Sequence, residues 1–387
     1  MSARPAEAGR TRYDIGAIVR DHRAELESLH PLTCGQKRVL TDIGQCRTPA
    51  LGGHVDHCPS CGFERPSYNS CRNRHCPKCQ ALAQEKWIAR RAERLLDVGH
   101  FHVVFTLPAE LRFLAQLAPR EVFDALFHAA ADTLLELGQT RLDARLGATL
   151  VLHTWTRALT FHPHVHAIVT AGGLARDGTR FCRSSRRYLF PVKKVMSPVF
   201  RGKFLALLGE AYAVGAFAHV DRFRDPSAYG RLVAKVTKLP WNVYAKAPLD
   251  SAQHVVAYLG RYTHRVGIAN SRLLDVTDTR VVFRTRGEHT ETVTPVEFLR
   301  RFVQHVLPEG FHKIRHVGLY ASPTKLDAAR QLLGMAPVPP KPCVEWPQKL
   351  LELTGRDVRL CPCCQTPLVP LPLPRVARAP PPGEIAA

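Results

Sequence analysis

Acidic residues are scarce in this chain. Its 387 residues include 33 Asp and Glu against 54 Lys and Arg, a formal net charge of +21. Such an excess repels itself in a folded state and points to a polyanionic partner, nucleic acid before an acidic membrane surface. Long apolar runs are missing as well. The best stretch, Leu205 to Val220, is interrupted by Glu210, and a membrane span needs ~18 uninterrupted apolar residues. The opening MSARPAEAGRTRYDIG has no apolar core of the kind a secretion signal uses. A cytoplasmic setting is therefore expected, in which the 12 cysteines serve as metal ligands or free thiols rather than disulfides. No Walker-type glycine loop and no internal repeat is present, which argues against nucleotide-driven chemistry and against a solenoid. Hydrophobic residues at 45% exclude wholesale disorder, while 30 prolines call for a loose segment somewhere.

Strands and helices alternate without regular βαβ order, so the expected class is α+β with a largely antiparallel sheet. Helices are expected over 14–29, 36–43, 81–96, 109–117, 120–137, 197–214, 252–263 and 295–306. Strands are expected over 101–107, 149–159, 162–171, 241–246, 272–276, 280–285 and 313–320. Residues 1–99 read as a helical and metal-binding N-terminal domain, 100–335 as the main domain, and 336–387 as a C-terminal tail. The last 22 residues, from Thr366, hold seven prolines and are expected to be flexible.

Between Cys46 and Cys79 apolar periodicity gives way to Gly, Pro, Asn and Ser with six cysteines. This composition suits a module folded around metal rather than a hydrophobic core. Cys58-x-x-Cys61 and Cys76-x-x-Cys79 are two knuckles of the kind whose four thiolates converge on Zn²⁺, and Gly62 fits the tight turn after the first. The expected partition is one zinc on Cys58, Cys61, Cys76 and Cys79, and a second on Cys46, His54, Cys71 and His75. Arg72, Arg74 and Lys78 lie between these ligands, suited either to phosphate contacts or to a solvated face. Cys361 and Cys364 form a third pair beside Cys363 and the proline-rich end. No second pair is nearby, except for the single Cys343, and Gln365 follows Cys364 where a knuckle favours glycine, so this Cys-x-x-Cys is a candidate knuckle whose use as a metal site is the lesser expectation.

In Phe161-His-Pro-His-Val-His-Ala-Ile-Val169 three histidines alternate. On a strand they share one face while Val165, Ala167 and Val169 share the other. Three adjacent imidazoles call for a shared partner, and a divalent metal is the natural one. His153 lies eleven residues before His164, so a hairpin return would bring it to the same face as a third ligand. Pro163 makes His162 the weakest candidate. In SAQHVVAYLGRYTHRVG, Tyr258 and Tyr262 stand four apart on an expected helix, on one face. They either approach one reactive centre or pack the helix onto the sheet. Arg261 and Arg265 add cations to that helix. The stretch 176–203 carries nine basic residues and one acidic, among them Arg183, Arg186, Arg187, Lys193 and Lys194, with Phe181, Tyr188 and Phe190 interleaved. That mixture suits tracking a phosphate backbone and stacking bases, and a solvated loop is the alternative.

HPHVH, followed at a distance by YLGRYTHR and preceded by YNSCRNRHCPKCQ, resembles the rolling-circle insertion-sequence transposases of the HUH endonuclease superfamily, in the two-tyrosine branch with an N-terminal zinc-binding domain. The resemblance spans roughly residues 14–335. It implies an HUH-type antiparallel sheet flanked by helices and preceded by a small zinc-binding module. It also implies Mg²⁺ or Mn²⁺ on His164 and His166 with His153 as third ligand, nucleophilic Tyr258 and Tyr262, and one or two structural Zn²⁺. The implied activity is nicking and rejoining of single-stranded DNA at transposon ends and target through a 5′-phosphotyrosine, in a bacterial cytoplasm and in association with the nucleoid. A plasmid replication initiator or relaxase would share this chemistry; a zinc-finger regulator would explain the charge and cysteines but leave the histidine strand and the tyrosine pair without a role. Metal-dependent hydrolases with a His-x-His pair expect strand–helix repeats with further ligands at strand ends, and these are not evident.

Overall fold

The computed structural model describes residues 13–184, 192–249, 255, 267–340 and 345–374. The first helices start where the sequence supplies caps. Asp14 accepts from Gly16 N and opens α1 (Ile15–Leu29), and a reciprocal Thr33/Gln36 capping box opens α2 (Cys34–Gln45). Two short strands follow, β1 (Gly53–His57) and β2 (Glu64–Tyr68), and then α3 (Gln80–Arg94).

The main sheet is built from β3 (His100–Thr106), β4 (Ala144–Trp155), β5 (Phe161–Ala175), the short β6 (Phe181–Arg183), β7 (Val243–Leu249) and, later in the chain, β11 (Ile314–Gly318). Its order is β11-β4-β5-β3-β7, with β6 added to β5, and every pairing is antiparallel. Between β3 and β4 run α4 (Arg112–Leu117) and the long α5 (Pro119–Leu142). Pro119 starts α5, and Asp143 ends it in the left-handed conformation at φ 48°. Between β6 and β7 lie α6 (Ser197–Ala213) and α7 (Pro226–Lys238).

The two faces of the sheet differ. On one, Val103, Phe105, Leu150, Leu152, Val165, Ala167 and Val169 join α5 and α6 in the largest core. Phe105 and Phe200 meet there at 4.8 Å between ring centroids, each fully buried aromatic contributing on the order of 2–3 kcal/mol by burial alone. Among the described residues, the other face is covered by apolar packing at one end, where Val151 and Ile168 join Leu95, Leu96, Val98, Val255, Leu319 and Leu326. The remainder of that face carries the histidines.

A three-stranded sheet, β8 (Leu273–Val276), β9 (Val281–Arg284) and β10 (Thr290–Val293), precedes a helix at Pro295–Val303 that is capped by Thr294. These elements share one core with the N-terminal helices: Ile15, Ile18, Val39 and Ile43 cluster with Ile268, Phe283, Phe298 and Phe302. The chain then continues through helices Pro323–Leu332 and Trp346–Thr354 to β12 (Val369–Leu373).

The end of the chain corrects the expectation of a flexible tail from Thr366. Residues 369–373 pair antiparallel with β1, from Gly53 opposite Leu373 to His57 opposite Val369, at the edge of a β12-β1-β2 sheet. Prolines are tolerated on an edge strand, since their missing N–H groups can face the open side.

Candidate functional site

β4 and β5 form the hairpin that assembles the histidine site. His153 stands directly opposite His164 in the register, and β5 alternates buried Pro163, Val165 and Ala167 with partly buried His162, His164 and His166. Pro163 sits within the strand without displacing this alternation. Ligand-capable nitrogens of His153, His164 and His166 lie within 4.8 Å of one another. They open onto a cavity of about 520 Å³ lined also by Trp155, Arg157, Gly267, Ile268, Arg272 and Arg284.

The ring tautomers suit metal binding. His164 Nδ1 donates to the His162 carbonyl at 2.6 Å, which leaves Nε2 as a lone-pair donor. His166 Nδ1 lies 2.9 Å from His102 Nε2, so with His102 as acceptor the Nε2 of His166 is also a lone-pair donor. Burial pushes the His164 and His102 imidazoles down to about 4, and drives His166 further below its ordinary value, with His153, His164 and His102 adding repulsion. All three are therefore neutral near pH 7, the form in which imidazole binds a metal. His162 is held differently: Arg112 Nη2 donates to its Nδ1 at 2.8 Å.

His102 is absent from the sequence-based set although His100 and His102 alternate on β3 as the other histidines do on β5. That spacing was an available signal. Among the described residues the cations of the cavity wall are Arg157, which follows β4, and Arg272 and Arg284, which the β8–β9 hairpin sets side by side; a hairpin return joins the last two, and no spacing rule joins Arg157 to them.

The thiols group differently from the expected partition. Cys46, Cys71, Cys76 and Cys79 form one set, and Cys58, Cys61, Cys361 and Cys364 form another. In the first, Cys46 and Cys71 Sγ lie 3.4 and 3.6 Å from Cys79 Sγ, close to the ~3.8 Å edge of a tetrahedron with Zn–S bonds of ~2.3 Å. Neither expected histidine takes part. His54 Nε2 faces Asp56 at 3.2 Å. His75 is buried, with Nδ1 on Asn73 Oδ1 at 3.0 Å and Nε2 accepting from Leu307 N at 3.1 Å, so both of its nitrogens are taken by protein.

The expected phosphate-facing cations divide. Arg74 donates to the carbonyls of Pro308 and Phe311, and Lys78 pairs with Asp14 at 2.6 Å. Both are engaged within the protein, because the loop carrying them packs against 307–311 and against the start of α1. Arg72, Arg183 and Lys194 are exposed. Tyr258, Tyr262, Arg186, Arg187, Arg261 and Arg265, the helix expected over 252–263 apart from Val255, and the side chain of Lys193 lie outside the described residues.

The histidine-bearing antiparallel sheet and the thiol-rich N-terminal module coincide with two regions that match transposase families. The family model described as "Transposase zinc-binding domain" matches residues 18–107, and the one described as "Putative transposase" matches 147–327. The chain belongs to the IS91/IS801 family of insertion-sequence transposases. It is 40% identical over 373 residues to "Putative transposase y4qJ" of Sinorhizobium fredii (strain NBRC 101917 / NGR234), an alignment covering 92% of this chain and 94% of that one. It is 32% identical over 297 residues to the transposase for insertion sequence element IS801 of Pseudomonas savastanoi pv. phaseolicola, covering 73% of this chain and 70% of that protein. No solved structure matches. Among the described residues no helix is long and apolar enough to cross a membrane.

Proposed function

We propose that this transposase nicks and rejoins single-stranded DNA at its transposon ends, with Tyr258 and Tyr262 as nucleophiles and with His153, His164 and His166 holding Mg²⁺ or Mn²⁺. The observation that carries the reading is the convergence of three imidazoles, of which His164 and His166 are held neutral by burial, in an arginine-lined cavity. A divalent cation bound there withdraws charge from a non-bridging phosphate oxygen.

The chain's own groups supply the rest. Arg157 and Arg284 hold a phosphodiester against the histidine face, with Arg272 bracing the two segments through their carbonyls and adding its charge to theirs. The phenolic oxygen of one tyrosine attacks phosphorus in line, the bond to the 3′-oxygen breaks, and that oxygen leaves as a hydroxyl, taking up a proton while the phenol gives one up. The product is a 5′-phosphotyrosine that keeps the ester's energy, so rejoining needs no nucleotide cofactor. The described flanks of the tyrosine segment fit this reading. Val255 is buried in the cluster that contains Val151 and Ile168, and Gly267 lines the histidine cavity. Tyr258 follows Val255 by three residues, a reach of at most ~10 Å.

Zinc on Cys46, Cys71, Cys76 and Cys79 would fix the N-terminal module. The exposed Arg72, Arg183 and Lys194, with Arg186, Arg187, Lys193, Arg261 and Arg265, would track the DNA backbone, and the working location is the cytoplasm, at the nucleoid.

The test is incubation with a single-stranded oligonucleotide from the element's ends and Mn²⁺. Each single Tyr→Phe variant retains cleavage, the Tyr258→Phe/Tyr262→Phe double variant forms no covalent adduct, and His164→Ala abolishes nicking while DNA binding persists. An adduct in the double variant, or normal nicking by His164→Ala, refutes the reading.

A further inference from the structure

The second thiol set joins parts of the chain about 300 residues apart. Cys58 Sγ lies 3.4 Å from Cys364 Sγ, and Cys61 Sγ 3.6 Å from Cys361 Sγ. These separations are too long for a disulfide at ~2.05 Å and close to the ~3.8 Å edge of a tetrahedral tetrathiolate zinc.

The two Cys-x-x-Cys turns have the same backbone. Cys58 N donates to Phe63 O at 2.9 Å and Gly62 N to Cys58 O at 3.0 Å; Cys361 N donates to Thr366 O at 2.8 Å and Gln365 N to Cys361 O at 2.9 Å. Gly62 and Gln365 occupy equivalent places with φ of 69° and 60°. Glutamine thus takes the left-handed conformation that glycine takes in the other turn, and so the lack of glycine after Cys364 does not prevent a knuckle. Each turn offers one buried and one exposed thiol, Cys58 and Cys361 being buried, Cys61 and Cys364 exposed.

The surroundings hold the two turns together but bury little. β12 pairs with β1, Arg65 Nη2 donates to Val358 O at 2.9 Å, and Thr366 Oγ1 donates to Ser60 Oγ at 3.2 Å. Four of the five β12 residues are exposed. A sheet with so little apolar burial needs another source of cohesion, and four converging thiolates supply one.

We propose that Cys58, Cys61, Cys361 and Cys364 bind a second structural Zn²⁺, which clips the C-terminal segment onto the N-terminal module. Residues 361 and 364 lie outside both matched family regions, 18–107 and 147–327. The zinc-binding module is therefore completed by the far end of the chain.

The test uses the full chain as purified. Zinc content should be about two ions per chain for the unmodified protein. It should fall to about one in Cys361→Ser/Cys364→Ser, and remain about one, not zero, when Cys58→Ser/Cys61→Ser is added, because both pairs share one ion. Should those variants fail to fold, thiol labelling of the unmodified protein decides. Exposed Cys363 alkylates at once and serves as the internal control, whereas Cys61 and Cys364, although exposed, stay protected until chelator is added and then label together. Two zinc ions retained in Cys361→Ser/Cys364→Ser, one zinc in the unmodified protein, or alkylation of Cys61 and Cys364 at the rate of Cys363 would each overturn the proposal.

Discussion

Replacing His102 with Phe tests whether the histidine face is a metal centre with its own supporting shell. The substitution keeps a ring of similar size in a position 5% exposed and stacked on His166 at 5.2 Å between centroids, so packing changes little. It removes the Nε2 acceptor that lies 2.9 Å from His166 Nδ1. Without that acceptor the tautomer with a lone pair on His166 Nε2 is no longer favoured, and the ring loses the contact that orients it. Loss of such an outer contact lowers metal affinity ~10–100-fold, or ~1.4–2.7 kcal/mol. The assay is nicking of a single-stranded oligonucleotide against Mn²⁺ concentration, with direct Mn²⁺ titration by calorimetry. The half-saturating Mn²⁺ concentration should rise by ~10–100-fold, while the rate at saturating metal and the metal-free DNA affinity change little. His102→Gln, which can present an acceptor oxygen, should recover part of the loss. An unchanged Mn²⁺ dependence in His102→Phe would show that His166 is not a ligand oriented by this contact.

Two further outcomes follow from buried groups outside the histidine set His153, His164 and His166. His100 and His305 are fully buried and their imidazoles are pushed down to about 4, by burial and, for His100, also by Arg91. The unfolded chain takes up the proton first, so stability is full above ~6.5 and is lost as pH falls toward 4, by about 3 kcal/mol for each group. Thermal unfolding followed from pH 7.5 to 4.5 should show this decline, and a flat profile would contradict it. Gly318 ends β11 at φ 62°, and a Cβ there would stand 1.8 Å from Leu146 O, so Gly318→Ala should destabilise by at least ~3 kcal/mol; a melting temperature within ~2 °C of the parent would refute that.

The histidine hairpin was legible in the sequence because a strand repeats every two residues, and because eleven residues suffice for His153 to return opposite His164. The helices with clear start signals were legible for a similar local reason. α7 was missed although Asp225-Pro226 is a strong helix start, with Asp225 accepting from Ser227 N at 2.9 Å. β1 and β2, reading GHVDH and ERPSY, lack apolar alternation, and the cohesion of their sheet does not come from a core. The thiol partition was not legible, since knuckle spacing says which residues make one turn but not which turn faces another. Cys58 and Cys61 have a partner pair 15 residues downstream and another about 300 residues downstream, and long-range contacts such as the pairing of β12 with β1 distinguish them. His75 misled for a different reason: a histidine beside cysteines also serves as a buried hydrogen-bond hub, as its contact with Leu307 N demonstrates.

The core shared by α1, α2, β9 and the helix Pro295–Val303 includes Ile268, and Ile268 also lines the histidine cavity. The N-terminal helices thus pack directly behind the wall of the cavity, and the module they belong to is not carried on a swinging tether. A DNA strand gripped by that module and cut at the histidines would be measured by a ruler of fixed length. Its cleavage position would be counted in nucleotides from the gripped sequence, and spacer bases inserted between the two would shift the cut by the same number of bases instead of being absorbed by the protein.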